Sequence, residues 1–332
     1  MTEKNTQMPE LGENTAAVQQ SPMQRQRSVE TFMAARNAKQ EDALRLGQYI
    51  TAHKEKQYMT ARISAVESRK DLVYWVCYDG PVTIWIPYAE AYELAAPADL
   101  RANTPAARER QKQVMSKSIG AEIKFIIKDI VPSDDNSEYF VYASRKEAME
   151  DINSRYMENS KNNTGAVLAV GQNVVAQFVS VGPYAAIVEV AGRDIRVVNA
   201  QLSHRYIADL TKHFVPSDKI EMQITKLSIK DDKLDIVVSA LPCELEKCQP
   251  RIRRIRAGNR CNATITTVRN IKTTNGPKFI ATLWLEGYEL PGYASVINCN
   301  GNNQAYSGSP ALVQINGVSK NGYVHCKILR FI

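Results

Sequence analysis

Cysteine and histidine are scarce in this chain, six and four among 332 residues. Six thiols are too few for a disulfide scaffold. Cys243, Cys248 and Cys261 lack both the short paired spacing and the histidines of a zinc site. They read as reduced thiols of a cytoplasmic protein. No apolar run approaches the roughly 20 residues that a membrane span needs, and Met1 to Gln26 is polar, without the apolar stretch of a secretory signal. Catalytic signatures are missing too. There is no Gly-rich phosphate loop ending in Lys and Ser or Thr, no Gly-x-Ser-x-Gly, no His-Glu-x-x-His and no Gly-x-Gly-x-x-Gly. Asp231-Asp232 lies in a Lys-Asp-Asp-Lys turn rather than a metal pair, and Asp134 to Ser137 reads the same way. No metal, cofactor, membrane contact or enzymatic activity is expected.

Acidic residues are absent from one long stretch. Between Lys247 and Leu285 there are nine basic side chains and no acidic one. The net charge is +7, and residues 246–332 carry twelve basic against three acidic groups, so the rest of the chain is slightly acidic. Arg251, Arg253, Arg254, Arg256 and Arg260 form the densest block. Such a block repels itself and attracts a polyanion. A solvated linker is the competing explanation, but solubility does not require arginine, which pairs bidentately with phosphate and stacks on bases.

Residues 1–27 are rich in Gln, Asn, Thr, Ser and Glu and cannot bury enough apolar surface to fold; this segment is expected to be disordered. A helix is expected from Val29 to Leu46, stopped by Gly47. A second begins at the Thr104-Pro105 cap and runs to Lys117. A third spans Arg145 to Asn159, with Met149, Ile152 and Tyr156 on one face. Most of the remainder is short runs of Val, Ile, Thr and aromatics broken by Gly, Pro, Asn and Asp, the pattern of strands.

An internal repeat organises those strands. Gly171-Gln172-Asn173-Val174 and Gly258-Asn259-Arg260-Cys261 each place a Gly and polar residues before an alternating run, at an offset of 87. The same offset lays Val324–Ile332 on Val237–Leu245, and a longer, less similar copy precedes both. Each copy has five strand-like segments; in the middle one they are Val174–Val179, Ala185–Val190, Ile195–Val198, Ile220–Leu227 and Leu234–Ser239. A longer connection after the third strand is the order of an OB-fold. The expected fold is all-β with connecting helices: tandem five-stranded OB barrels at 47–150, 165–245 and 246–332, behind a tail and helix over 1–46. Arg145–Asn159 and Glu244–Arg256 are the connectors.

The middle copy resembles the S1 RNA-binding domain. The resemblance is carried by Gly171-Gln172-Asn173-Val174, Tyr184 to Gly192, Asp194 to Val198, Leu202-Ser203, Ser217 to Ile220 and Leu234 to Ser239. The chain is similar in plan to bacterial ribosomal protein S1. That resemblance implies RNA across the second and third strands, held by two aromatics, a histidine and nearby cations. The first aromatic position is Tyr184, Phe279 or Leu72 in the middle, last and first copies. The second is Ile187, Thr282 or Trp75, and the histidine position holds Val198, Tyr293 or Ile86. The family's arginine before the fifth strand is replaced by Leu234 and Asp235. The last copy carries the most: Phe279 and Tyr293 for stacking, with Arg269, Lys272 and Lys278 close in sequence.

The expected nucleic-acid contacts are therefore Trp75, Tyr184, Phe279 and Tyr293 for bases, which gain about 1–3 kcal/mol each on an aromatic face. Arg251, Arg253, Arg254, Arg256, Arg260, Arg269, Lys272 and Lys278 are expected to track phosphates. Trp85 and Trp284 are expected in cores, and His204 and His213 at the surface. Single-stranded RNA is the expected partner, with single-stranded DNA second, alongside the ribosome or RNA-processing machinery. A protein-docking or mobile-element role is the alternative.

Overall fold

The computed structural model describes residues 40–332 except 94–96, 102–103, 135–137, 163, 166, 231–232, 274–275, 297–305 and 320. The polar tail over 1–27, Asp231-Asp232 and most of the helix expected from Val29 lie outside the described residues. Tyr49–Ile332 forms one compact unit. Before it, residues 40–48 are helical.

Helix α1 (40–55) does not stop at Gly47. Tyr49 and Ala52 on its later turns are buried in the core of the following barrel, which outweighs the roughly 1 kcal/mol that a helical glycine costs. The first barrel then runs β1 (Met59–Arg62), β2 (Ala65–Arg69), β3 (Leu72–Asp79) and β4 (Val82–Pro87). The short helices α2 (Tyr88–Ala91) and α3 (Ala98–Arg101) lead to α4 (Pro105–Ser116), then β5 (Glu122–Pro132) and β6 (Tyr139–Ser144). The Thr104 side chain accepts from the Ala107 N–H, and Pro105 opens α4, the expected cap. The strand order is β1-β5-β6-β4-β3-β2. Because β1 and β2 are halves of one strand interrupted at Ile63-Ser64, this order closes on itself.

Helix α5 (Arg145–Asn162) follows, with Met149 and Ile152 packed in one cluster and Tyr156 against the second core. The second barrel comprises β7 (Asn173–Val181), β8 (Ala185–Val190), β9 (Arg193–Val198), α6 (Asn199–Leu202), β10 (Lys219–Lys230) and β11 (Lys233–Ser239). Its order is β11-β10-β7-β8-β9, open between β9 and β11. Helix α7 (Leu241–Ile252) leads to the third barrel: β12 (Arg260–Thr273), β13 (Gly276–Leu285), β14 (Leu290–Val296), β15 (Pro310–Val318) and β16 (Val324–Phe331). That barrel is closed in the order β12-β13-β14-β16-β15. In chain order all three barrels share the ring 1-2-3-5-4, and in the first and third the third and fifth strands pair in parallel. This is the OB arrangement.

The repeat has a physical basis at its start. Gly171 and Gly258 both adopt left-handed backbone, at φ 87° and 91°. Gly171 N–H donates to Ile224 O, and Gly258 N–H to Ile315 O, both at 2.8 Å. The Ile224 and Ile315 N–H groups return the bond to Gln172 O and Asn259 O. Each glycine thus latches the first strand to the fourth in a conformation that a side chain disfavours. The first strand is also irregular at one shared place, with bulges at Val179 and Thr266 where the first barrel has its break. The offset of 87 fails at the far end, however. β11 ends at Ser239 and Leu241 opens α7, so Val237–Leu245 is not the counterpart of the last strand.

The first two barrels are joined by a buried ionic cluster. Arg145, at the start of α5, is fully buried. Its guanidinium donates to both Asp194 carboxylate oxygens at 2.8 and 2.7 Å, to Glu189 at 3.0 Å and to Ala91 O at 3.3 Å. Burial works against its charge, but Asp194 and Glu189 outweigh that and hold its pKa above the ordinary value. Glu93 pairs with Arg193 and Lys233 beside it. Gly192 lets α5 approach: a Cβ there would lie 2.4 Å from Met149 O.

Candidate functional site

A cleft of about 620 Å3 lies between the second and third barrels. One wall is the outer face of the third barrel, with Thr267 and Arg269 of β12, Thr282 of β13 and Tyr293 of β14. Strand alternation turns these outward while Ala281, Leu283 and Ala294 fill the core. Thr282 and Tyr293 are direct cross-strand partners, and the β12 bulge at Thr266 lies in the same wall. The loop before β16 adds Ser319, Asn321 and Tyr323. The opposite wall is the segment after α6, with Ser203, His204, Arg205 and Tyr206.

A buried network fixes the two walls. His204 is only 4% exposed. Its Nδ1 lies 2.8 Å from Glu244 Oε2 and its Nε2 3.1 Å from the Tyr323 hydroxyl. The His204 N–H also donates to Glu244, and the Ser203 hydroxyl donates to the other carboxylate oxygen at 2.8 Å. Burial works to raise the Glu244 pKa, but these donors outweigh it and hold the carboxyl below its ordinary value. Arg205 stacks over Trp284, 4.7 Å from the ring centroid, and approaches Glu289. The Tyr293 ring lies 5.1 Å from that of His325.

The structure brings Arg269 and Tyr293 together in this cleft. The Arg251 guanidinium pairs with Glu289 at 2.8 Å, so a phosphate there would compete with a carboxylate. Arg253, Arg254 and Arg256 stand exposed between α7 and β12, and Arg260 is exposed at the start of β12, with no carboxylate partner among the described residues. Phe279 pairs with Val296 and packs partly on the third core. Lys272 and Lys278 sit a step apart across the β12–β13 ladder, their side chains outside the described residues. Tyr184 is 75% exposed on the second barrel, away from this cleft.

Several expectations need correction. Trp75 has no exposed surface; it points into the first core and its Nε1 donates to Met115 O at 3.1 Å. The alignment of the first copy was one residue out, and a shift of one swaps sheet faces: Tyr74, Val76 and Trp85 form the outer cluster there. His204 is interior rather than superficial, whereas His213 is exposed. Trp284 is buried in the third core as expected, whereas Trp85 is buried in that outer cluster rather than in the first core. Arg205, Tyr206, Ser319, Asn321 and Tyr323 escaped the sequence reading, because they lie in loops without strand periodicity. Among the described residues no three His, Cys, Asp or Glu side chains gather as a metal site, and no helix is long and apolar enough to cross a membrane.

No family model matches the chain, and no curated protein matches it. Among solved structures, it is similar to a multidomain protein with nucleic acid binding domains from Streptococcus pneumoniae, at 9% identity and a TM-score of 0.20, covering 83% of this chain and 74% of that one. It is also similar to a murine DNA binding protein bound to double-stranded DNA, at 14% identity and a TM-score of 0.17, covering 47% of this chain and 90% of that one. At these TM-scores neither likeness bears on the fold or the function.

Proposed function

We propose that this chain is a non-catalytic nucleic-acid-binding protein that tethers single-stranded RNA in the cytoplasm, in translation or RNA turnover, using three S1-like modules at 47–150, 165–245 and 246–332. The observation that carries the reading is the cleft: Tyr293 and Arg269 converge on the outer face of the one barrel whose segment holds the whole charge excess. Tyr293 supplies the stacking surface, which tolerates any base, whereas Phe279 shares the inward face with Ala281 and Leu283 and packs on the third core. Arg253, Arg254, Arg256 and Arg260, with Lys272 and Lys278, supply the charge that releases counterions from a backbone. The Thr267 and Ser319 hydroxyls and the Asn321 amide offer partners to a ribose 2′-hydroxyl, which favours RNA over DNA.

Filter binding of the purified chain to poly(U), single-stranded DNA and duplex at two salt concentrations tests this. Salt-dependent retention of RNA, stronger than of single-stranded DNA and far stronger than of duplex, is expected. Failure to retain any nucleic acid, with stable co-purification of one protein, would favour a docking role.

A further inference from the structure

The network between the second and third barrels also fixes the direction of each of its hydrogen bonds. Glu244 Oε2 receives the His204 backbone N–H at 2.6 Å and lies 2.8 Å from His204 Nδ1, while the Ser203 hydroxyl donates to Oε1. Burial works to raise the Glu244 pKa, but these donors hold it below the ordinary value, so the group is a carboxylate. A carboxylate only accepts. Nδ1 therefore carries the imidazole proton, which leaves a lone pair on Nε2, 3.1 Å from the Tyr323 hydroxyl. Tyr323 donates to it. Burial and Glu244 push the Tyr323 pKa up against the pull of Arg269, so the hydroxyl keeps the proton that it gives.

The consequence falls on the cleft, which Tyr323 lines. The one hydroxyl hydrogen is committed to His204, so the oxygen meets a ligand with lone pairs alone. Among the described residues no other group donates to it. Tyr323 stands immediately before β16, two residues from His325, which pairs with Tyr293 and lies against its ring. Two strand residues span about 6.6 Å, on the scale of one base. A phosphate or a base carbonyl brings only lone pairs to that oxygen and is repelled, whereas an amine or a ring N–H donates to it. A ribose hydroxyl turns to suit either polarity and is not selected. Every base carries a donor on its Watson–Crick edge, an amine in adenine and cytosine and a ring N–H in uracil and guanine. In a duplex that donor is spent on the opposite base, whereas a splayed single-stranded base presents it.

We infer that Tyr323, with its proton committed to His204, reads the Watson–Crick N–H donor of an unpaired base in this cleft. The inference rests on the nucleic-acid reading above and deepens it. Stacking on Tyr293 accepts any ring, and Tyr323 restricts the site to bases whose pairing edge is free. His204 and Glu244, on the second barrel and α7, are positioning residues that set the polarity of a contact made on the third barrel.

Anisotropy titrations of the full chain with hexamers of uridine and of N3-methyluridine, which lacks the base donor, test it. A strand of about 6 nucleotides suits one OB fold. The wild type is expected to bind the methylated strand about 3- to 10-fold more weakly, the value of one hydrogen bond. Tyr323→Phe keeps the ring and loses the oxygen, so it should bind the two strands equally. Equal binding by the wild type would overturn the inference, and so would a methyl penalty that persists in Tyr323→Phe, since that penalty is steric. A second readout needs no variant at the site. Nitrogen NMR of the four histidines is expected to show His204 protonated at Nδ1 alone, and a proton on Nε2 would overturn the inference. If the wild type binds neither hexamer, the nucleic-acid reading fails as well. If it binds the uridine hexamer and Tyr293→Ala weakens that binding, the reading stands and the methyl comparison decides Tyr323 alone.

Discussion

Tyr293 and the arginines between α7 and β12 exemplify two contacts that titration can separate. A ring on a base displaces no condensed ion, whereas a guanidinium on a phosphate does. Tyr293→Ala is expected to weaken binding by about 1–3 kcal/mol with little change in salt slope. Arg253→Ala with Arg254→Ala should lower the slope by about 1.4. Arg251→Ala should lower it less, because Glu289 already neutralises that side chain; an equal drop for Arg251 would show that Glu289 yields to phosphate. The arginine block was legible in the sequence because charge density needs no fold to be read. Trp75 was not, because its face depends on strand parity and a single residue reverses it. His204 was not, because its partners Glu244 and Tyr323 lie 40 and 119 positions away.

Among the elements, α5 and α7 act as braces between barrels. Arg145 brings the only guanidinium described inside the Asp194–Glu189 cluster, and Arg145→Ala leaves two carboxylates there without it. A loss of about 3–5 kcal/mol is expected in urea unfolding; a change under 1 kcal/mol would mean that the cluster relaxes into water. At the other brace, Glu244 has its folded pKa held below its unfolded value of about 4.3. Its contribution is therefore present above that pH and lost as pH falls through the folded value. The wild-type melting temperature should fall more steeply below about pH 4.3 than that of Glu244→Gln, and parallel curves would remove the linkage. The Thr104-Pro105 cap, the β8 bounds and the glycine starts were legible in the sequence because each is a local choice of backbone conformation; the Gly47 stop was not, because burial of Tyr49 and Ala52 carries α1 past it. The end of the second repeat was not, since Leu241-Pro242 could continue a strand pattern until α7 is seen packed at Cys243 and Cys248.

Across the whole molecule, charge and architecture divide unevenly. The barrels share one strand order, yet residues 246–332 hold the entire positive excess. Removing them should abolish most nucleic-acid affinity, because the remainder is weakly acidic; a truncated chain that binds as tightly as the whole would move the main site to the second barrel. Photo-crosslinking of the intact chain to 4-thiouridine-substituted poly(U), followed by mass spectrometry of the linked peptides, tests the central claim most directly. The account predicts a crosslink at Tyr293, reduced by salt and by the Arg253→Ala, Arg254→Ala variant. Crosslinks confined to the first barrel, or none on residues 246–332, would contradict it.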